Sequence, residues 1–589
     1  MVDDPGSFLG VERSLLGRRW RAREADERAV MALAQRLELP EPVARALVGR
    51  GVSAEAAPDF LAPTLRALLP DPFHLLDMER AAKRLADAVA AREPIAVFGD
   101  YDVDGATSSA LLQRFFSAVG APLRIYIPDR LKEGYGPNAP ALLRLRDEGI
   151  KLVVTVDCGT AAFEPLEAAS AAGLETIVVD HHEAEPRLPK ALAVVNPNRV
   201  DETSKHGQLA AVGVAFLLAV AVNKVLRERG WYRARPEPDL MAWLDIVALG
   251  TVCDVVPLTG VNRALVSQGL KVLARRANVG LAALADVARI DERPNAYHLG
   301  FILGPRVNAG GRVGEADLGA RLLTTSDAAE AQDLARRLDG YNQERQAIEA
   351  TVLEEAIAAV EANPKGAISF VAGEGWHAGV IGIVASRLKD RFNRPAFVVA
   401  LENGVGKGSG RSVSGVDMGA AVIAAKQAGL LINGGGHKMA AGLTVAAEKV
   451  RPLEEFLATR LGDEISSKRI VPSLTVDGSL SLMGATRALV ELLEKLQPFG
   501  SGNGEPVYVL RAALPVRADV VGNGHVRVIL SDAAGGRLKA IAFRALETEL
   551  GRALLRRPAT PLHLAGHLRA DSWSGPDGVQ FIIEDGAGA

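Results

Sequence analysis

Short β-branched runs separated by helical stretches set the pattern of the first half of the chain. Ile95-Ala96-Val97-Phe98, Leu123-Arg124-Ile125-Tyr126-Ile127, Leu152-Val153-Val154-Thr155-Val156 and Thr176-Ile177-Val178-Val179 are each four or five residues long, the length of a buried strand. Their alternation with helical spacing predicts a parallel sheet with crossover helices over residues 91–325. Residues 1–90 alternate short helical patterns with breaks at Leu39-Pro40, Ala62-Pro63 and Leu69-Pro70, and predict a helical N-terminal region. An Ala-, Glu- and Arg-rich pattern from Ser326 to Asn363 stops at Pro364-Lys365-Gly366 and predicts one connecting helix over 326–365. A second α/β segment follows over 366–465. The tail, 466–589, carries strand-like runs such as Val526-Arg527-Val528-Ile529-Leu530 and Phe581-Ile582-Ile583, which suit a small β-barrel. The expected class is α/β, with two α/β lobes joined by a long helix and a C-terminal barrel.

Composition narrows the picture. Across 589 residues, 48% are hydrophobic and 24% charged, which excludes disordered, collagen-like and mucin-like chains. The longest run without a charge, Asn or Gln, Leu209 to Val222, is shorter than the roughly 18 residues a spanning helix needs. The opening Met1-Val2-Asp3-Asp4-Pro5 lacks a basic stretch followed by an apolar one, so no secretory signal is expected. Two cysteines cannot staple so long a chain, which fits a reducing, cytoplasmic compartment. Net charge is −3, so any nucleic-acid site must be a local patch.

The candidate chemistry lies where the predicted strands end. The first runs into Gly99-Asp100-Tyr101-Asp102-Val103-Asp104-Gly105, the third into Asp157-Cys158-Gly159, and the fourth into Asp180-His181-His182. Alone, the first segment reads equally as an acidic loop whose last Asp caps a helix. Three strands delivering Asp, Asp and Asp-His-His to one sheet edge need a cation, because carboxylates converging without one repel each other. The oxygen-rich set with one imidazole suits Mn²⁺ or Mg²⁺ better than Zn²⁺. A fourth element is Asp254, alone in the apolar run Ala248 to Pro257, where a buried carboxylate needs a partner. The cysteines, Cys158 and Cys253, each adjoin one of these aspartates and are read as small apolar filling.

The order Asp-x-Asp, Asp, Asp-His-His, Asp resembles the DHH phosphoesterase superfamily, and the detail resembles its RecJ exonuclease family. The resemblance is carried by Phe60-Leu61-x-Pro63, Asp71-Pro72, Asp100 to Ser108, Pro128-x-Arg130 and Glu133-Gly134-Tyr135-Gly136. It continues through Pro305-Arg306-x-Asn308-Ala309, Gly311-Arg312, Trp376-His377-x-Gly379 to Leu388, Gly434-Gly435-Gly436-His437, and Pro498-Phe499-Gly500-x-Gly502-Asn503.

The resemblance implies a metal-dependent 5′ to 3′ exonuclease that degrades single-stranded DNA to mononucleotides in recombination and repair. It implies two divalent ions, Mn or Mg, with Asp157 bridging, Asp104, His181 and Asp254 on one ion and Asp102 on the other. Asp100 and Asp180 would orient these ligands, and His182 would face the phosphate. Many relatives carry a His where this chain has Phe98, which leaves the second ion one ligand short. The physical logic agrees, since two ions roughly 4 Å apart can clamp both the attacking and the departing oxygen of a phosphodiester.

For the DNA, the resemblance points to Arg130, Arg306, Asn308, Arg312, Ser409 and Arg411, and to a Gly-rich loop of Gly434, Gly435, Gly436 and His437 that faces the catalytic site across a cleft. The plain alternative for each Arg is an interdomain salt bridge, and for the glycines a tight turn. The barrel resembles the family's single-strand-binding OB fold; Phe499 and Tyr508 are either stacking residues or core. Expected partners are single-stranded DNA, a single-strand-binding protein and a helicase, with no membrane and a monomeric chain. Two readings compete: a DHH phosphoesterase of small or very short nucleotide substrates, which would lack the tail, and a non-catalytic DNA-binding relative, which would have broken ligand motifs.

Overall fold

The computed structural model describes residues 6–129, 133–362, 366–468, 471–556, 559–571 and 575–589. Five parallel strands form the first sheet, in the spatial order Leu123–Tyr126, Ile95–Gly99, Leu152–Val156, Glu175–Val179 and Ala193–Val195. Ile95–Gly99 and Leu152–Val156 are buried at every position. Helices cover both faces of such a sheet, so its strands read as continuous apolar runs rather than alternating ones. Val97, Val154 and Ile177 join the core under the helices Val103–Ala118 and Ala211–Glu228, while Phe98, Val153 and Val178 join the core on the other face.

The strand order reverses at Ile95–Gly99, which pairs with the next strand on one side and with Leu152–Val156 on the other. Connections leave in opposite directions at such a point, and the strand ends open into a crevice. Asp100 to Asp102 and Asp157 stand there.

A single helix of 35 residues, Ala328–Ala362, joins this lobe to the second. At 1.5 Å per residue it spans about 50 Å. Midway it buries Asn342, Arg345 and Glu349, with Arg345 Nη2 donating to Asn342 Oδ1 at 2.9 Å and Arg345 ion-paired to Glu349. The second sheet runs Asn433–His437, Ala440–Ala446, Val405–Arg411, Ala396–Glu402 and Ser369–Glu374. Trp376 donates from Nε1 to Glu355 Oε2 at 2.7 Å, which fixes it against the long helix.

In the tail, Tyr508–Val521 pairs with both His525–Ser531 and Leu562–Ala570, which closes a barrel through Arg537–Ala542 and Val579–Gly588. The N-terminal segment is not purely helical. Arg19–Ala22 forms a strand parallel to Ser473–Val476, and Val30, Leu33, Val43 and Leu47 share one apolar core with Leu510, Val528 and Phe581 of the barrel. Tyr508 is 1% exposed and is a core residue, while Phe499 is partly buried and packs against that same core. Among the described residues no helix is long and apolar enough to cross a membrane.

Candidate metal centre and active-site cleft

Each carboxylate is set by the chain immediately around it. Asp102 caps the helix Val103–Ala118, its Oδ1 accepting from the N–H of Asp104 at 2.9 Å and of Gly105 at 3.1 Å. The cap brings the chain back so tightly that a Cβ at residue 105 would lie 2.3 Å from the Asp100 carbonyl oxygen, which is why Gly105 stands there. Asp104, in the first turn, accepts at Oδ2 from Ala211 N (2.7 Å) and at Oδ1 from Val212 N (2.8 Å), so it also caps the helix Ala211–Glu228. Asp157 follows its strand in a left-handed conformation, φ 60°, and is 2% exposed. Asp254 ends the helix Leu244–Cys253.

These groups converge. His181 Nε2 lies 3.3 Å from Asp157 Oδ1, 3.5 Å from Asp254 Oδ2 and 3.9 Å from Asp104 Oδ2. Candidate ligand atoms within 4.8 Å of one another form three sets: Asp104, His181 and Asp254; Asp100, Asp102 and Asp157; and Asp157, His181 and His182. Asp180 is turned away from this point. Its Oδ1 accepts from the N–H of His181 (2.8 Å) and His182 (3.2 Å) and sits 2.7 Å from His182 Nδ1, while Oδ2 accepts from Thr160 N at 3.0 Å. Phe98 is buried on the far face of the sheet, stacked on Tyr126 with centroids 5.2 Å apart.

The electrostatics state the same conflict that the sequence raised. Burial first, and the Asp102 charge second, push the Asp104 carboxyl up to about 7. Burial and the Asp104 and Asp102 charges push Asp254 up to about 9, and burial with its four carboxylate neighbours raises Asp157 well above the usual range. Burial and the neighbouring His182 bring His181 down to about 4. Asp180 goes the other way: burial is the largest single effect and opposes its charge, but the bond to His182, the His182 charge and the bonds to Thr160 together outweigh it and hold the carboxyl low. The cluster is therefore unfavourable as a set of bare anions.

Cations relieve it. Among the described residues, His181 Nε2 and Asp254 Oδ2 are buried without a hydrogen-bond partner, the state expected of atoms waiting for a metal rather than of a satisfied core. Oxygen donors with imidazole fit Mn²⁺ or Mg²⁺. Burial pushes the thiols of Cys158 and Cys253 up, which agrees with small apolar filling beside the site.

Across the cleft, the predicted Gly-rich loop is a strand. Asn433–His437 pairs antiparallel with Ala440–Ala446, and Gly436 sits so close to Ala440 and Ala441 that a Cβ would come within 2.4 Å of backbone. His437 Nδ1 reaches to 3.8 Å from Glu183 Oε2, the residue after the His pair, so this hairpin faces the centre. Arg411 Nη1 donates to Ser409 Oγ at 3.0 Å, and both side chains pack against Gly382 at the start of the helix Ile381–Phe392. Arg312 donates to the Gly379 carbonyl at 2.9 Å, joining the lobes. Arg306 pairs with Asp339 of the long helix at 2.9 Å, and Asn308 Oδ1 accepts from Val103 N at 3.1 Å, holding the turn that carries Asp102. Arg130 lies outside the described residues.

Several supporting residues have roles that the motifs alone do not assign. Tyr135 donates from its hydroxyl to the Asp157 carbonyl at 3.3 Å and stands edge-on to His182, centroids 6.1 Å apart. Asn196 donates from Nδ2 to the His182 carbonyl at 2.8 Å, and Asn198 to that of His181 at 2.5 Å. The signal was present: Asn196-Pro197-Asn198 is the polar exit of one more apolar run, Ala193–Val195.

Comparison with known proteins assigns the lobes. Residues 94–251 match the DHH family, N-terminal domain, residues 363–463 the DHHA1 domain, and residues 476–585 the RecJ OB domain. The single-stranded-DNA-specific exonuclease RecJ of Bacillus subtilis is 35% identical over 97% of this chain and 71% of its own length. That of Dickeya dadantii is 36% identical over 93% of this chain and 96% of its own. The crystal structure of RecJ in complex with Mn²⁺ from Thermus thermophilus superposes with a TM-score of 0.80 at 31% identity, covering 96% of this chain and 79% of that one. Its Mg²⁺ complex gives 0.76 at 30% identity, covering 97% and 78%. The chain belongs to the RecJ family of single-stranded-DNA-specific exonucleases.

Proposed function

We propose that this chain is a divalent-metal-dependent exonuclease that degrades single-stranded DNA from the 5′ end to mononucleotides, in recombination and repair. The observation that carries the reading is the convergence of Asp104, His181 and Asp254 on one point and of Asp100, Asp102 and Asp157 on a neighbouring one. Asp104, Asp157, His181 and Asp254 would hold one Mn²⁺ or Mg²⁺ ion. Asp157 and Asp102 would hold the other, with Asp100 added in place of the orienting role expected from sequence. That addition makes good the ligand missing at Phe98. Ions held there supply Lewis acidity toward the scissile phosphate and acidify the attacking water.

The chain's own residues do the rest. Asp180, kept ionised, binds Nδ1 of His182 and raises that imidazole's proton affinity against the opposing effect of burial. His182 would thus face a phosphate oxygen or the departing group as an acid or hydrogen bonder. Ser409 and Arg411, beside a helix N-terminus, would hold the DNA end. Gly434, Gly435, Gly436 and His437 would approach the backbone phosphates from the opposite lobe, with Asn308 and Arg312 lining the strand's path and Arg306, held by Asp339, supporting it. The same reading makes the protein a cytoplasmic monomer that works with a helicase and a single-strand-binding protein.

Digestion of single-stranded DNA labelled at either end tests the polarity. Early release of the 5′ label as a mononucleotide, with the 3′ label retained on shortening strands, is expected. The reverse order of loss, or cleavage confined to dinucleotides, would overturn it.

A further inference from the structure

One stripe of the helix Ala328–Ala362 is buried from Leu334 to Val360, recurring at intervals of three or four residues, the spacing of a seam packed against neighbouring elements. Leu334 and Leu338 lie in the core of the first lobe, and Val352 and Ala356 in that of the second, beside Ile381, Val384 and Leu388 of the helix Ile381–Phe392. Between them the seam turns polar: Asn342, Arg345 and Glu349 are 2%, 7% and 8% exposed. The polar step falls where the helix passes from one core to the other.

An apolar seam would cost less. Replacing a buried ion pair by apolar side chains of similar size is often neutral or stabilising, and the best-attested role of such a pair is to fix a register. Arg345 Nε is buried without a hydrogen-bond partner among the described residues, so the network is not kept for complete satisfaction. Its outer end shows what it holds. Glu349 Oε1 accepts from Arg387 Nε at 3.4 Å, across to the helix Ile381–Phe392. Near the start of that same helix, a Cβ at Gly382 would lie 3.0 Å from Arg411 Nη2 and 3.2 Å from Ser409 Oγ, the proposed holders of the DNA end. On the other side, Arg306 ties the first lobe to Asp339, just before Asn342.

We propose that Asn342, Arg345 and Glu349 are positioning residues that set the register of the second lobe on the long helix, and through it the distance from Ser409 and Arg411 to the metal centre, so that each cut releases one nucleotide. The proposal rests on the exonuclease reading given above. Magnitude makes the register decisive. A slip by one seam position would carry the end-holding residues about 5 Å along the helix, against about 3.4 Å between successive nucleotides of a stacked strand. A seam of apolar residues alone offers the helix Ile381–Phe392 several similar seats, whereas a single buried charge pair offers one.

The test uses the full chain with Mn²⁺ and 5′-radiolabelled single-stranded DNA in a single turnover, and reads the length of the first labelled product beside the melting temperature. The triple variant Asn342→Leu, Arg345→Met, Glu349→Leu makes the seam apolar and leaves none of its three buried groups unpaired, so its melting temperature should hold or rise. The share of di- and trinucleotides among its first products should rise about ten-fold, the size of effect a coupled polar network gives. Arg387→Ala changes an exposed side chain and cuts only the tie to Glu349; it should lengthen the products in the same direction by a smaller factor. Mononucleotides alone from the triple variant at an undiminished melting temperature would overturn the proposal, and so would slower release with product length unchanged. Should the triple variant fail to fold, Arg387→Ala decides: longer products uphold the proposal and unchanged ones overturn it. Wild type whose first labelled product is not a mononucleotide would overturn the exonuclease reading itself, before any variant is compared.

Discussion

Asp180 Oδ1 lies 2.7 Å from Nδ1 of His182 and also accepts from the backbone N–H of both His181 and His182. One carboxylate oxygen therefore fixes the position of two histidines and the protonation of one. Asp180→Asn keeps the volume and removes the charge. It should lower kcat by about 10- to 100-fold, the usual cost of losing an outer partner of such a site, while KM for single-stranded DNA and the thermal midpoint change little. Steady-state kinetics alongside a melting curve would show it.

Arg263 is 1% exposed and, among the described residues, donates to the carbonyls of Phe60, Lys495, Leu496 and Gln497 rather than to a carboxylate. It pins the N-terminal segment and the tail to the first lobe, with its guanidinium 3.8 Å over the Phe60 ring. Arg263→Met would leave those carbonyls buried and unsatisfied. A destabilisation of about 3 kcal/mol is expected in urea unfolding, with loss of a single cooperative transition.

Two arginines that the sequence grouped together should separate on mutation. Arg306 is anchored to Asp339 and to the Ile302 carbonyl, whereas Arg411 bonds its own strand neighbours at the cleft. Arg411→Ala should raise KM roughly ten-fold or more at unchanged kcat, as for a lost charge-assisted hydrogen bond. Arg306→Ala should lower the melting temperature more than it changes KM.

The sheet edge was legible because it depends on local order: strands ending in Asp are visible as apolar runs followed by a charge. What was not legible depends on distant partners. That Asp104 caps the helix at Ala211, that Asn308 receives the N–H of Val103, and that Arg19–Ala22 pairs with Ser473–Val476 are contacts between segments about a hundred residues or more apart. No local pattern encodes them. The Gly-rich segment is expected from sequence as a loop or tight turn, yet the close approach of Ala440 and Ala441 to Gly436 requires glycine there within a strand. Asp100 was assigned an outer role from the resemblance alone, and only the geometry set it beside Asp102 and Asp157.

The clamp between the N-terminal segment and the barrel is pH-dependent. His567 Nε2 lies 3.3 Å from Glu584 Oε2, and Glu584 also pairs with Arg18 at 2.7 Å. Burial is the largest single effect and opposes the His567 charge, but the Glu584 bond, the Glu505 charge and the Pro506 carbonyl together outweigh it and raise the imidazole; Glu584 is correspondingly held low, chiefly by His567. A raised His stabilises fully below its unfolded value of about 6.5 and loses that stabilisation as pH rises through its folded value. A lowered Glu contributes above its unfolded value of about 4.3 and loses this as pH falls through its folded one. The difference in melting temperature between wild type and His567→Gln should therefore peak between about pH 5 and 6.5 and shrink toward pH 8.

The central claim is that the converging carboxylates and His181 act through divalent ions. Mononucleotide release from single-stranded DNA, followed while Mn²⁺ or Mg²⁺ is titrated into metal-stripped wild type and Asp157→Ala, tests it most directly. Wild-type release should appear with the metal and saturate, and the variant should stay at the metal-free baseline throughout. Undiminished cleavage in chelator, or wild-type rates from Asp157→Ala at saturating metal, would contradict the account.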